Sequence, residues 1–462
     1  MIHAFQYNDR YLLLDVESGA VHVVDELAYE AVKALEAGGR EQAKAALLER
    51  GFPAADVDEV LDELAELEKE GQLFEKEHDY VPVQGGDVVK AMCLHVAHDC
   101  NLRCKYCFAS TGEYHLGRAM MPLSIGKQAL DFLVAHSGNR KNLEVDFFGG
   151  EPLMNFDVVK EIVAYGRRLE KEHGKRFKFT ITTNCVGITP EIIDFCSKEM
   201  HNVVLSIDGR KEVHDALRKT ANGKGSFDIV LPKALEMGLT RQKAGQDYYV
   251  RGTFTRRNLD FCEDVKFLAD QGFEQISVEP VVLPDDDPDS LREEDMARIF
   301  EEYDKLAKMF YERRKDGRWF NFFHFMIDLA HGPCIAKRMT GCGAGSEYVA
   351  VTPQGDIYPC HQFVGNTDFL MGSVITGEFN RRMQKEFKGC NVFTKEKCRS
   401  CWAKYYCSGG CAANAFNFNG DIHKPYERAC DMEKKRLECA IGVYAQELED
   451  RQRAKQDETA PR

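Results

Sequence analysis

Cys100-Asn-Leu-Arg-Cys104-Lys-Tyr-Cys107 is the stretch on which the reading of this chain turns. It follows an apolar run, Cys93-Leu-His-Val96, with the length and composition of a buried strand. Three thiolates within eight residues can reach three irons of a cubane iron–sulfur cluster. The fourth iron then has no protein ligand, which is what a cluster that binds a substrate needs. Zinc competes for such cysteines, but a closed zinc site wants four ligands.

Working outward, residues 88–290 alternate strand and helix. Strand patterns fall at 93–96, 143–150, 178–184, 203–209, 248–255 and 275–282, with helical patterns such as 122–136, 156–173 and 258–271 between them. Six β/α units predict a parallel sheet, open or closed into a partial barrel, with ligands at the C-terminal strand ends. Residues 291–330 read as a charged helix followed by the aromatic run RWFNFFHF, and 431–457 as a polar helix with a frayed tail.

The opening residues are different in kind. Residues 1–80 carry 20 Asp and Glu against 7 Lys and Arg, while the whole chain is −14. That acidity argues against nucleic-acid binding, which needs basic residues to displace counterions. Two apolar runs around Glu17-Ser18-Gly19 predict a β-hairpin, and three helical patterns follow it, a small winged-helix-like module without cysteine. The linker HDYVPVQGGD (78–87) marks a boundary. No stretch approaches the ~18 apolar residues of a membrane span, and MIHAFQYNDR lacks signal-peptide character. The expectation is a cytoplasmic protein without membrane contact.

The 17 cysteines are too many for an ordinary cytosolic chain and too few for a disulfide scaffold, so metal ligation is the better reading. Beyond the first motif they gather from residue 334 onward: Cys398-x2-Cys401-x5-Cys407-x3-Cys411-x18-Cys430, preceded by Cys342-x17-Cys360. A zinc ribbon is the competing reading of the CxxC pair. Cys93, Cys185, Cys196, Cys262, Cys390 and Cys439 lack such spacing and read as thiols without a metal.

CxxxCxxC with an aromatic neighbour after the first strand of a β/α array resembles the radical S-adenosylmethionine enzymes. The supporting motifs are Phe148-Gly149-Gly150-Glu151-Pro152 at the second strand end, Thr183-Asn184 at the third, Ser206-Ile207-Asp208-Gly209 at the fourth, and Arg218 in HDALRK. The resemblance implies a partial (β/α)6 barrel over 88–315 whose contacts to S-adenosylmethionine are Gly149, Gly150, Glu151, Asn184, Ser206, Asp208 and Arg218, with the Glu151 carboxylate pairing the methionine ammonium. The later cysteines resemble a SPASM domain, placed at 330–445 with a polar tail at 446–462. By position, Cys398, Cys401, Cys407 and Cys430 ligate an outer [4Fe–4S] cluster, and Cys342, Cys360 and Cys411 an inner one. That makes three [4Fe–4S] clusters in all. Cys334 is either a fourth inner ligand or the inner cluster keeps an open iron.

With the acidic module resembling a leader-peptide recognition domain, the set is most similar to the thioether-forming maturases of the six-cysteine SCIFF peptides. That implies a Cys-rich precursor peptide as substrate, a bond from Cys sulfur to an α-carbon, and an electron donor such as flavodoxin or ferredoxin. Two alternatives stand beside it: formylglycine formation, as in the anaerobic sulfatase maturases, and a zinc-binding adaptor without enzymatic activity. The sulfatase branch has an Asp after the inner-cluster Cys; here His361 follows Cys360, as a catalytic base or as a partner of the cluster.

Overall fold

The computed structural model describes residues 1–77, 87–329 and 335–459. Cys334 and most of the 78–87 linker lie outside them.

Three antiparallel strands open the chain: β1 (Ile2–Tyr7), β2 (Arg10–Asp15) and β3 (Val21–Val24), in that order. The expected hairpin is β2–β3. The buried Asp15 carboxylate holds its turn, accepting from the backbone N–H groups of Glu17 (2.9 Å) and Ser18 (3.1 Å), and ties in Glu75 N–H at 2.9 Å. Helix α1 (Glu26–Glu49) breaks at Gly39, whose φ of 77° is open to glycine, so α1 and α2 (Ala54–Lys69) supply the three helical segments of the sequence pattern.

The barrel strands are β4 (Ala91–His98), β5 (Asn142–Gly149), β6 (Arg176–Thr183), β7 (Asn202–Ser206), β8 (Asp247–Phe254) and β9 (Gln275–Pro280). Each pairs in parallel with the next. Helices α3 (Leu123–His136), α4 (Phe156–His173), α5 (Pro190–Glu199), α6 (Lys211–Leu217), α7 (Phe227–Lys243) and α8 (Phe261–Asp270) fall between or beside them. β9 does not pair with β4, so the six strands form a partial barrel. Instead β10 (Tyr348–Val351) lies parallel on the outer edge of β4, and β11 (Asp356–Tyr358) follows it, joining the Cys-rich region to the barrel as one sheet. Every residue of β4 is buried, as a strand paired on both edges and covered on both faces requires.

The chain ends in α10 (Glu427–Thr459), packed on α9 (Met296–Lys315). The polar helix expected over 431–457 is part of it, and the residues placed in a polar tail from 446 stay helical to 459. Glu447 pairs with Arg314 at 2.6 Å, Glu449 with Arg10 at 3.0 Å, and Asp450 accepts from Tyr311 at 2.6 Å, giving the polar turns specific partners.

The acidic module is built into this body rather than appended to it. Leu13 points with Leu27, Val32, Leu47 and Leu61 into the module's own core. Leu12 and Leu14, on the opposite face of β2, join Phe5 and Tyr7 in the core shared with the barrel and α10. The run of three leucines reflects a sheet buried on both sides. At its rim Glu17 pairs with Lys404 at 2.7 Å, both side chains 1% exposed, and accepts from the Tyr405 hydroxyl at 3.0 Å. His3 stacks on Trp402, ring centroids 3.7 Å apart. The module has no cysteine, yet it grips the loop that carries Cys401 and Cys407. Glu17→Gln leaves Lys404 buried without its closest carboxylate and is expected to cost about 3 kcal/mol, read as a lower midpoint in urea denaturation; an unchanged midpoint would contradict a supporting role for this pair.

Candidate functional site

The Cys100–Cys107 loop leaves the C-terminal end of β4. Residues Leu102–Cys104 pair antiparallel with Arg218–Thr220, placing Arg218 opposite Cys104. Cys100, Cys104 and Cys107 all line one cavity at the C-terminal strand ends. Burial pushes the Cys100 thiol up to about 12 and Cys104 to about 11. Three half-buried thiols from one short loop, facing a cavity with Arg218 in its wall, are a donor set that fits an anionic iron–sulfur cluster with one open iron.

Gly149, Gly150, Glu151, Asn184, Ser206 and Arg218 line the same cavity. The glycines answer first to the loop above them. A Cβ on Gly149 would overlap the carbonyl oxygen of Ala97, and one on Gly150 the carbonyl oxygen of Asp99; φ at Gly149 is 116°. Gly150 and Glu151 donate their N–H groups to those carbonyls at 2.7 and 2.9 Å. The second strand end thus clamps the start of the cysteine loop, and nothing larger than glycine fits.

Glu151 differs from expectation. Its buried carboxylate accepts from Thr183 Oγ1 (2.8 Å), Asn184 N–H (2.8 Å) and Leu153 N–H (3.1 Å). Burial raises it to about 7 against those three donors. It is therefore committed to positioning the third strand end, where Asn184 donates to Asn101 at 2.7 Å inside the cysteine loop. Glu151 still lines the cavity, beside Gly149 and Gly150.

Asp208 is a second correction: it is wholly buried and absent from the cavity wall. Its oxygens accept from the Tyr106 hydroxyl at 2.8 Å and Thr253 N–H at 3.0 Å, and Arg218 Nε lies 3.0 Å away. Arg218 also sits over the Tyr106 ring, 5.4 Å from its centroid. Asp208 therefore fixes Arg218 and the tyrosine between Cys104 and Cys107, and offers the cavity nothing of its own. Tyr106, Thr253, Arg251 and Glu279 are cavity residues the sequence reading did not single out. Tyr106 was visible as the aromatic inside the cysteine motif; the other three stand near the C-terminal ends of β8 and β9, where a barrel predicts ligands.

Glu279 belongs to a buried network. His324 Nε2 lies 3.2 Å from its carboxylate, Ser277 donates at 3.1 Å, and Arg436 donates to His324 Nδ1 at 3.0 Å. Burial pushes Glu279 up, but His324, Arg251 and Arg436 outweigh it and hold the carboxyl well below the usual range. His361 reaches the cavity from the Cys-rich side, packed on Phe108 (5.3 Å) and Phe148 (5.2 Å). Burial, aided by Arg251, lowers it to about 4, so it stands neutral at pH 7.

The later cysteines fall into two groups. Cys398, Cys401, Cys407 and Cys430 lie close enough to act on one another electrostatically and line a second cavity. Cys342, Cys360 and Cys411 form another such group. Among the described residues no three His, Cys, Asp or Glu side chains close on a single ion; a cube with irons at its corners needs wider spacing than one ion does. Cys93, Cys185, Cys196, Cys262, Cys390 and Cys439 are all buried. A third cavity lies between β9 and the Cys-rich region; Arg251, Glu279 and Gln362 line both it and the first, while Cys407, Cys411 and Cys430 close its far side.

Residues 94–240, which hold the cysteine loop and four of the six barrel strands, match the Radical SAM superfamily. The chain therefore carries a radical SAM domain. The cysteine-type anaerobic sulfatase-maturating enzyme of Clostridium novyi is 27% identical over 337 residues, 68% of this chain and 86% of that protein. Mycofactocin maturase MftC of Mycolicibacterium smegmatis is 26% identical over 355 residues, 72% of this chain and 80% of its own. The crystal structure of Streptococcus suis SuiB bound to S-adenosylmethionine superposes with a TM-score of 0.51 at 17% identity, covering 92% of this chain and 97% of that one. SuiB bound to its precursor peptide SuiA gives 0.50 at 15%, over the same shares.

Because the Gly150 contact is with backbone, Gly150→Ala cannot be relieved by a rotamer change. We expect it to cost about 1–3 kcal/mol and to weaken S-adenosylmethionine binding in equilibrium dialysis of the reconstituted protein; wild-type affinity would show that the clamp does not shape the site.

Proposed function

We propose that this protein is a radical S-adenosylmethionine peptide maturase that joins a Cys sulfur to an α-carbon in a ribosomally made, Cys-rich precursor peptide. The observation that carries the reading is the convergence of Cys100, Cys104 and Cys107 with the Gly149–Glu151 backbone, Asn184, Ser206 and Arg218 on one cavity. The relatives named as maturases support the class, and the resemblance to SCIFF maturases supplies the thioether chemistry. A [4Fe–4S] cluster on the three cysteines would supply the electron that cleaves S-adenosylmethionine to methionine and a 5′-deoxyadenosyl radical. Arg218, held by Asp208 and Tyr106, presents a fixed cation to the bound nucleotide. The Cys-rich region closes the barrel mouth with His361 and Gln362 and excludes water from the radical. Cys398, Cys401, Cys407 and Cys430 would hold one auxiliary cluster, and Cys342, Cys360 and Cys411 another, in line with the cavity that leads away from the nucleotide site.

Formylglycine formation is the second reading, favoured by the likeness to the Clostridium novyi enzyme. His361 argues against it: that branch has a carboxylate at this position, and here the side chain is an uncharged imidazole. The acidic module is read as the leader-binding element. β3 is an edge strand with Val23 46% exposed, open to an added strand from an extended, partly basic leader.

Two outcomes test these roles. Cys104→Ala should abolish 5′-deoxyadenosine formation under reducing, anaerobic conditions, followed by chromatography; wild-type release would sink the radical reading. Val23→Asp should weaken leader-peptide binding about tenfold, or roughly 1.4 kcal/mol, in fluorescence anisotropy while leaving nucleotide cleavage intact. Equal affinity would remove β3 as the docking edge.

A further inference from the structure

Between Cys407 and Cys411 the chain runs through Ser408, Gly409 and Gly410, all with left-handed backbone, φ 61°, 86° and 70°. In the assignment above Cys407 belongs to the outer group and Cys411 to the inner one, so this turn spans the two. Ser408 adopts that conformation without glycine's freedom, which requires the surroundings to hold the turn.

Lys395 holds it. The residue is 3% exposed, and its ammonium donates to the Gly409 carbonyl at 2.7 Å. Its backbone opens the short helix Glu396–Arg399, and its carbonyl accepts from Cys398 N–H at 3.0 Å. Its charge also acts on the Cys390 thiol, which donates to the Ile422 carbonyl at 3.1 Å. Lys395 thus touches both groups: Cys398, whose N–H it accepts, belongs to the outer one, and Gly409 lies two residues before Cys411 of the inner one. Lys404, the other buried lysine of this region, is neutralised by Glu17 at 2.7 Å. Lys395 meets no carboxylate at ion-pair distance among the described residues. A buried cation without a counter-charge is costly. Here what surrounds it is cysteine, and anionic thiolate-bound clusters on either side would supply the missing charge.

We propose that Lys395 is a positioning residue that acts as the shared counter-cation of two auxiliary iron–sulfur clusters, pinning the Ser408–Gly410 span between them and raising the reduction potential of the clusters it faces. This rests on the cysteine assignment under the proposed function. The direction follows from Coulomb's law, since a nearby cation stabilises the reduced, more negative state.

The test uses the full chain in a Cys100→Ala, Cys104→Ala, Cys107→Ala background, which removes the first cluster's signal. Lys395, Lys395→Gln and Lys395→Arg are reconstituted anaerobically, assayed for iron and sulfide, and titrated with redox monitored by electron paramagnetic resonance. Gln keeps a donor for Gly409 and removes the charge; Arg keeps the charge. We expect about eight irons per chain for two cubanes. We expect the Gln variant to shift the reduction equilibrium of at least one cluster about tenfold toward the oxidised form, or about 59 mV for one electron, with Arg near the parent value. An unchanged or higher midpoint in a fully loaded Gln variant overturns the proposal alone. If Gln loses a cluster, retention in Arg supports the counter-cation and loss in Arg overturns it. A parent protein that holds fewer than two cubanes overturns the cysteine assignment and, with it, this proposal.

Discussion

β4 is hydrogen-bonded along both edges, to β5 on one side and β10 on the other, and the chemistry of the molecule hangs from those two ladders. The cysteine loop leaves its C-terminal end. The β5 ladder brings Gly149 beside Ala97, so the Gly149–Glu151 turn is set against the loop by backbone bonds. The β10 ladder fixes the start of the Cys-rich region, from which β11 returns to Cys360 and His361. A register slip in either ladder would reverse which side chains face the core and part the two cysteine regions.

Around this frame, charges are buried in matched sets. Asp208 with Arg218 orders the cysteine-loop side of the cavity, Glu279 with His324 and Arg436 its far side, and Glu17 with Lys404 the seam between the acidic module and the Cys-rich region. Buried pairs of this kind add little net stability, but losing one partner is expensive. They therefore specify geometry: each joins segments distant in sequence, and each would penalise an arrangement that left one member alone. Lys395 is the exception, with no carboxylate at ion-pair distance among the described residues.

The barrel was legible because its signals are local. Six apolar runs with helical patterns between them became six parallel strands in sequence order, and the motif at each strand end came to one cavity because parallel strands present their C-terminal ends on the same side. The helix break at Gly39 was likewise legible, since backbone conformation there depends on the glycine itself. What the motifs did not reveal was which atoms of each motif face the ligand. Glu151 and Asp208 are both in place, but their carboxylates are also tied to Thr183, Asn184, Tyr106 and Thr253, pairings that no motif names.

The sequence by itself determined the parallel β/α architecture, the three-cysteine loop at the first strand end, and the separation of an acidic opening segment from a cysteine-rich close. These follow from periodicity, spacing and composition, which need no knowledge of distant neighbours. Only the tertiary structure decided that the opening module shares a core with the barrel through Phe5, Tyr7, Leu12 and Leu14, that the last helix docks through Glu447, Glu449 and Asp450, and that Lys395 lies between two cysteine groups. The reason is physical. Whether a leucine run is covered on one face or two, and whether a lysine is solvated or buried, depends on segments hundreds of residues away that meet only when the chain has folded.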